Sequence, residues 1–165
     1  MAVAPQDLGT LIVPGVADLP SGWSVGGTPK VSVNDDPCDG AICGFRYTVS
    51  TQLIGPGGTT GAKVKVAPME TSDGAKALYE SRLGPVDWRA TSLQPVGDMS
   101  AAFTSMDGST LRTDLAVGTV FVEITYGGEK GSPSPHVLEG LASCVAERAQ
   151  QSQNGEKPSA RVAAS

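Results

Sequence analysis

Three cysteines and a single histidine are the side chains of this sequence best suited to chemistry. Cys38 and Cys43 lie in Pro37-Cys38-Asp39-Gly40-Ala41-Ile42-Cys43, where Asp-Gly can turn the chain between them. That spacing allows a disulfide across a small loop, worth roughly 2 kcal/mol because the loop is short. The rival is half a zinc site, which needs two more ligands. Only Cys144 and His136 remain to supply them, in or beside a helix that does not obviously present both. The disulfide is the expected use, and with it an oxidising compartment. No metal or cofactor is expected.

Cys144 follows Leu141 by three positions, at the edge of a helical apolar stripe, and reads as a buried thiol acting as a small hydrophobe. A reactive thiol needs a neighbouring base or cation, and His136 two turns earlier or Arg148 one turn later are the candidates. His136 at the second position of a helix reads as a surface residue. Any Ser–His–Asp or Cys–His hydrolase would have to use it, and the sequence has no Gly-x-Ser-x-Gly elbow. Asp35, Asp36 and Asp39 form the one acidic cluster, without the spacing of a calcium loop. Gly55 to Gly61 lacks Gly-Lys-Ser/Thr and joins two strands, so it is not a phosphate loop.

The elements that must position these residues follow from periodicity. Gln6 to Val13 gives one or two helical turns before Pro14-Gly15, and Lys30-Val31-Ser32-Val33 gives a short strand. Phe45 to Ile54 is a long strand, with Phe45, Tyr47, Val49 and Leu53 expected on one face. It returns through the glycine-rich loop as Ala62 to Ala67. Thr71, Ser72 and Asp73 offer helix N-caps, and Ala75, Leu78, Tyr79 and Leu83 make one stripe that Gly84-Pro85 stops. Trp88 to Leu93 and Ala101 to Met106 are further strands, the second closed by Asp107-Gly108. Leu111–Val117 and Val120–Tyr126 form a hairpin around Gly118-Thr119, with Val120, Val122, Ile124 and Tyr126 on its apolar face. Ser134-Pro135 opens a closing helix whose stripe is Val137, Leu138, Leu141, Ala142, Val145 and Ala149.

This order predicts an α+β fold: a mainly antiparallel sheet with flanking helices, in one domain over residues 6–150. Residues 1–5 read as a leading linker. Residues 151–165 are polar and small and are expected to be disordered, because they bury too little apolar surface to offset their ordering entropy. The net charge of −5 leaves no basic patch for nucleic acid or anionic lipid. No run approaches the roughly 18 apolar residues of a membrane span. Membrane attachment would have to run through a lipid anchor outside these residues.

Leu19-Pro20-Ser21-Gly22-Trp23, Pro95-Val96-Gly97-Asp98-Met99-Ser100-Ala101-Ala102-Phe103 and Leu115-Ala116-Val117-Gly118-Thr119-Val120-Phe121-Val122-Glu123-Ile124-Thr125-Tyr126-Gly127-Gly128 precede the terminal amphipathic helix. Together they resemble actinobacterial exported proteins and lipoproteins. They are similar to PknH-like extracellular sensor domains of receptor kinases and to PsbP-like lipoproteins, over roughly residues 6–150. The resemblance implies an antiparallel sheet flanked by helices, a cell-envelope location by secretion or lipid anchoring, and a cleft used in ligand binding or signalling. PknH-like domains carry two disulfides, whereas this chain has only three cysteines.

The expectation is therefore a non-catalytic exported domain that binds a small ligand or an envelope protein and regulates envelope signalling. A candidate ligand cleft lies between the sheet and the closing helix, near Trp88, Phe103, Phe121 and Tyr126. The alternatives are a small exported hydrolase using His136 with Cys144 or an Asp, and a structural or inhibitory envelope protein. An inward-pointing His136 beside a nucleophile would favour the hydrolase. An exposed His136 with a buried Cys144 would sink it.

Overall fold

The computed structural model describes residues 5–35, 38–39, 42–128 and 133–163, except the side chains of Pro5, Gln6, Asp39 and Cys43. Its helices are α1 (Pro5–Ile12), α2 (Ser72–Ser81) and α3 (Pro135–Gln153). Its first strands are β1 (Ser24–Val25), β2 (Lys30–Val33), β3 (Cys38–Asp39), β4 (Ile42–Cys43) and β5 (Tyr47–Ile54). Then follow β6 (Gly61–Pro68), β7 (Trp88–Thr91), β8 (Met99–Ser105), β9 (Thr110–Val117) and β10 (Val120–Gly127). Eight strands form one sheet in the order β1-β5-β6-β10-β9-β8-β7, with β2 sharing the outer edge of β5, and β3 pairs separately with β4. Every pairing is antiparallel. The fold is α+β, as the alternation of strands and helices predicts.

The centre is the hairpin of β9 and β10, in register from Val120 against Val117 to Gly127 against Thr110. Val120, Val122, Ile124 and Tyr126 of β10 join Leu111, Leu115 and Val117 of β9 in the main core. That core is covered by Ile12 and Val13 at the end of α1 and by Leu138, Leu141, Val145 and Ala149 of α3. The other face is covered too, over part of its area. Phe121 and Ala116 pack with Ala67, Met69, Ala75, Leu78 and Tyr79 beneath α2. β9 is therefore buried on both faces along most of its length, with Arg112 and Asp114 among its buried residues.

Local chemistry explains most boundaries. The Thr71 hydroxyl accepts the Gly74 N–H at 3.0 Å and starts α2, and Arg82 caps it ahead of Gly84-Pro85. Leu83, expected on the apolar stripe, lies past the end of α2 and is 44% exposed. Phe45 also departs from expectation. β5 begins only at Tyr47, and the chain bends at Gly44, where the Arg46 N–H donates to Gly44 O at 3.1 Å. That bend sends Phe45 to the α2 cluster, while Val49 and Leu53 pack in the main core. The outer strands are short and polar or exposed, β2 throughout, which blunts an edge that would otherwise template pairing.

Of the segment expected to be disordered, residues 151–163 are described in the structure. α3 runs to Gln153, and the chain then reverses at Asn154-Gly155 and lies back along the helix, with Ala160 buried. Gln151 Oε1 accepts the N–H groups of Ser159 and Ala160 at 2.9 and 3.2 Å, and the Val162 N–H donates to Asp18 O at 2.8 Å. These contacts run largely through the main chain, which no count of apolar side chains registers.

Candidate functional site

Pro20-Ser21-Gly22-Trp23 makes a tight turn in which the Trp23 N–H donates to Pro20 O at 3.2 Å. Gly22 has φ +93°, a left-handed conformation that a side chain would strain. The turn lays the indole of Trp23 beside Tyr126, ring centroids 6.3 Å apart, and against the main core. A cleft of about 230 Å³ opens there, bounded by Pro20, Trp23, Val137, Gly140, Leu141 and Val162, with Ser134 and His136 also on its wall. Its lining is mainly apolar, with few polar groups, as in sites that hold an apolar group by shape. It is smaller than the roughly 300 Å³ at which drug-sized ligand pockets begin, so it suits one anchoring side chain or a short apolar ligand.

The four aromatic residues expected to share one cleft do not share a face. Tyr126 faces α3 and contacts Trp23, which lines the cleft. Phe121 is buried under α2 on the opposite face. Phe103 pairs with Arg112 across β8 and β9, and Trp88 is one strand farther out, so both lie on the α2 side. The strict alternation of side chains decides this: Phe121 and Tyr126, five positions apart on β10, must point opposite ways.

On that second face Arg112 lies over both rings, its guanidinium carbon 5.8 Å from the Trp88 centroid and 5.5 Å from that of Phe103. Arg112 Nε and Nη2 donate to Asp114 Oδ1 and Oδ2 at 3.0 and 2.7 Å, and Glu123 Oε1 is 3.5 Å from Nε. Burial pushes the Asp114 carboxyl above its ordinary range, against the hydrogen bonds and charge of Arg112, while Glu123 adds repulsion. The unit is a paired, aromatic-covered ion cluster whose strongest donors are already used. An open hollow of about 560 Å³ lies at the ends of β5, β6 and β10, bordered by Gln52, Lys63, Thr110 and Thr125.

The hydrolase constellation is not assembled. The His136 side chain is 91% exposed and its Nδ1 sits 3.2 Å from Glu139 Oε1. Cys144 is buried eight residues on, about 12 Å along the helix axis at 1.5 Å per residue. Burial pushes its thiol up to about 11, with Arg148 opposing, so it holds little thiolate at neutral pH. Asp36 lies outside the described residues, as does the side chain of Asp39, and among the described residues no group of three or more His, Cys, Asp or Glu could hold a metal. Cys38 stands directly opposite Cys43 in the β3–β4 ladder. Opposed residues of an antiparallel pair lie about 4.5–5.5 Å apart at Cα, inside the range a disulfide spans.

Periodicity did not single out Trp23, Arg148 or Val162 for the α3 cleft and its surroundings. The Leu-Pro-x-Gly-Trp turn was the one usable signal, since Gly22 and Pro20 fix where the indole goes.

No protein-family model matches the chain, and no curated protein matches it. Among solved structures it is similar to the extracellular domain of PknH from Mycobacterium tuberculosis, at 14% identity. The likeness covers 94% of this chain and 99% of that one, with a TM-score of 0.61. Among the described residues no helix is long and apolar enough to cross a membrane. At that identity the likeness is one of architecture, and the chain has the fold of that extracellular domain.

Proposed function

We propose that this chain is a non-catalytic, exported cell-envelope domain that binds a small apolar ligand or a protein partner and thereby regulates envelope signalling. The observation that carries the binding part is the apolar cleft beside α3, shaped by Trp23, Val137 and Leu141 and sized for one apolar group. Likeness in fold to an extracellular domain supports export. So does the Cys38–Cys43 pairing, whose register suits a disulfide. The hydrolase reading lacks support, because its only histidine is exposed and its only free thiol among the described residues is buried.

The protein has two tryptophans, Trp23 in the cleft and Trp88 on the opposite face, which gives an internal control. Titration with capped leucine and phenylalanine amides should shift the indole N–H signal of Trp23 in NMR spectra and leave that of Trp88 in place. Equal shifts at both rings, or none at Trp23, would refute the site. Fractionation of the native host should recover the protein outside the cytoplasm.

A further inference from the structure

One wall of the cleft is made by the chain's own returning segment, through Val162. After the reversal at Asn154-Gly155, residues 156–163 run back beside α3 toward the Pro20–Trp23 turn. Most of the hydrogen bonds that hold them fall on main-chain atoms, and one, from Gln151 Nε2 to Ser159 Oγ at 3.1 Å, falls on a side chain. Arg148 Nη1 donates to Ala160 O at 3.2 Å, and the Cys144 thiol sits 3.6 Å from the same oxygen. Gln151 Oε1 takes the N–H groups of Ser159 and Ala160, and Asp18 O takes that of Val162.

Arg148 is built for this position. It is buried, paired with Asp18 at 3.2 Å, and donates to Ile12 O and Leu11 O at 2.9 and 2.8 Å at the end of α1. Its remaining reach is spent on the returning chain.

The segment fills the cleft incompletely. Ala160 is buried and Val162 half-buried, but Arg161 and Ala163 are exposed. Beside Val162 the space of about 230 Å³ lined by Trp23, Val137 and Leu141 stays open. A site that reads main-chain groups accepts many sequences, and one with unfilled apolar volume favours an occupant with a larger side chain.

We propose that residues 159–163 are a resident strap in a peptide groove along α3, and that the groove accepts in their place an extended apolar segment of a partner protein. This rests on the reading of the α3 cleft as a binding site. It adds the partner's chemistry, a main-chain ladder with a Leu- or Phe-sized anchor, and a regulator, residues 159–163 of the chain itself. The strap swings on Asn154-Gly155, where Gly155 has φ +79° and the α3 cap is complete without the residues beyond Glu156.

Cys144 reports the state of the strap, because its thiol lies under Ala160. In protein truncated after Glu156, alkylation of Cys144 by iodoacetamide, mapped by peptide mass, should run on the order of tenfold faster than in the full chain. A synthetic capped peptide matching residues 157–163 should restore the slow rate, and one carrying Val162→Phe should do so at several-fold lower concentration. The full-length A160P/V162P variant, which keeps the chain but removes two of the N–H donors, should label like the truncated protein. The proposal is overturned if truncation and A160P/V162P both leave Cys144 protected, or if neither peptide slows labelling of the truncated protein. Thiol labelling follows the strap and the Trp23 signal follows the cleft, so the two readings fail separately.

Discussion

Gln153, in the last turn of α3, accepts the main-chain N–H of Thr119 through Oε1 at 2.9 Å, in the turn between β9 and β10. Its Nε2 donates to Val117 O at 2.9 Å and to Ala149 O at 3.1 Å. One amide thus joins the end of the closing helix to both sides of the central hairpin. Gln153→Ala leaves a partly buried N–H and C=O without these partners and should cost about 1–3 kcal/mol, measured by urea denaturation. Gln153→Glu keeps the acceptor and loses the donor, and should fall between. A wild-type midpoint in the alanine variant would show that water replaces the amide.

The same residue shows where sequence reading stops. The hairpin itself was legible, because period-two alternation from Val120 to Tyr126 requires a strand with one apolar face. The α2 cap at Thr71 and the turn before Trp23 were legible for equally local reasons. Gln153 was not, because an isolated amide in a polar run has the same local signature whether it is solvated or clamps a turn 34 residues away. The two-sided burial of the sheet was hidden likewise. Phe121 reads as the one large apolar residue on a wet face until α2 is placed over it. The candidate cleft is lined by Val137 and Leu141 of the closing helix, whose stripe is legible, and by Trp23 and Val162, which are far apart in sequence and share no local pattern.

Arg112 and Asp114 make the second testable pair. Asp114 is fully buried, and its carboxylate meets the guanidinium in a two-point contact that lysine cannot reproduce. Removing either partner strands the other charge, so Asp114→Ala and Arg112→Ala should each cost on the order of 3–5 kcal/mol. The double variant Arg112→Met/Asp114→Leu, which removes both charges and keeps the volume, should recover much of that loss. Additive losses in a double-mutant cycle would argue that the two groups act separately.

The proposed Cys38–Cys43 crosslink has a mass-spectrometric test. Alkylation of denatured, unreduced protein should label Cys144 alone, since Cys144 is a free thiol and the other two are register partners in the β3–β4 ladder. After reduction three labels should appear. Three labels without reductant would refute the crosslink and remove one support for export. Cys38→Ser/Cys43→Ser should lose roughly 2 kcal/mol, the small value expected for so short a loop.

Asp107 should titrate far below an ordinary aspartate. Its Oδ1 accepts the Ser109 N–H at 3.0 Å and the hydroxyls of Ser109 and Ser105 at 2.7 Å each, within the β8–β9 turn. These bonds hold the ionised form, first that from the Ser109 main chain, and lower the carboxyl from 3.8 to about 2. The folded value lies below the unfolded one, so the contribution is complete above the unfolded value and is lost as pH falls through the folded one. The working window is therefore between about pH 4 and pH 2. Carbon-detected NMR of the Asp107 carboxyl should give a midpoint near 2, and hydrogen-exchange protection of the Ser109 amide should fade over the same range. In Asp107→Asn that protection should be lower at neutral pH and flat in acid. A midpoint near 3.8 would mean that the three hydrogen bonds do not persist in solution.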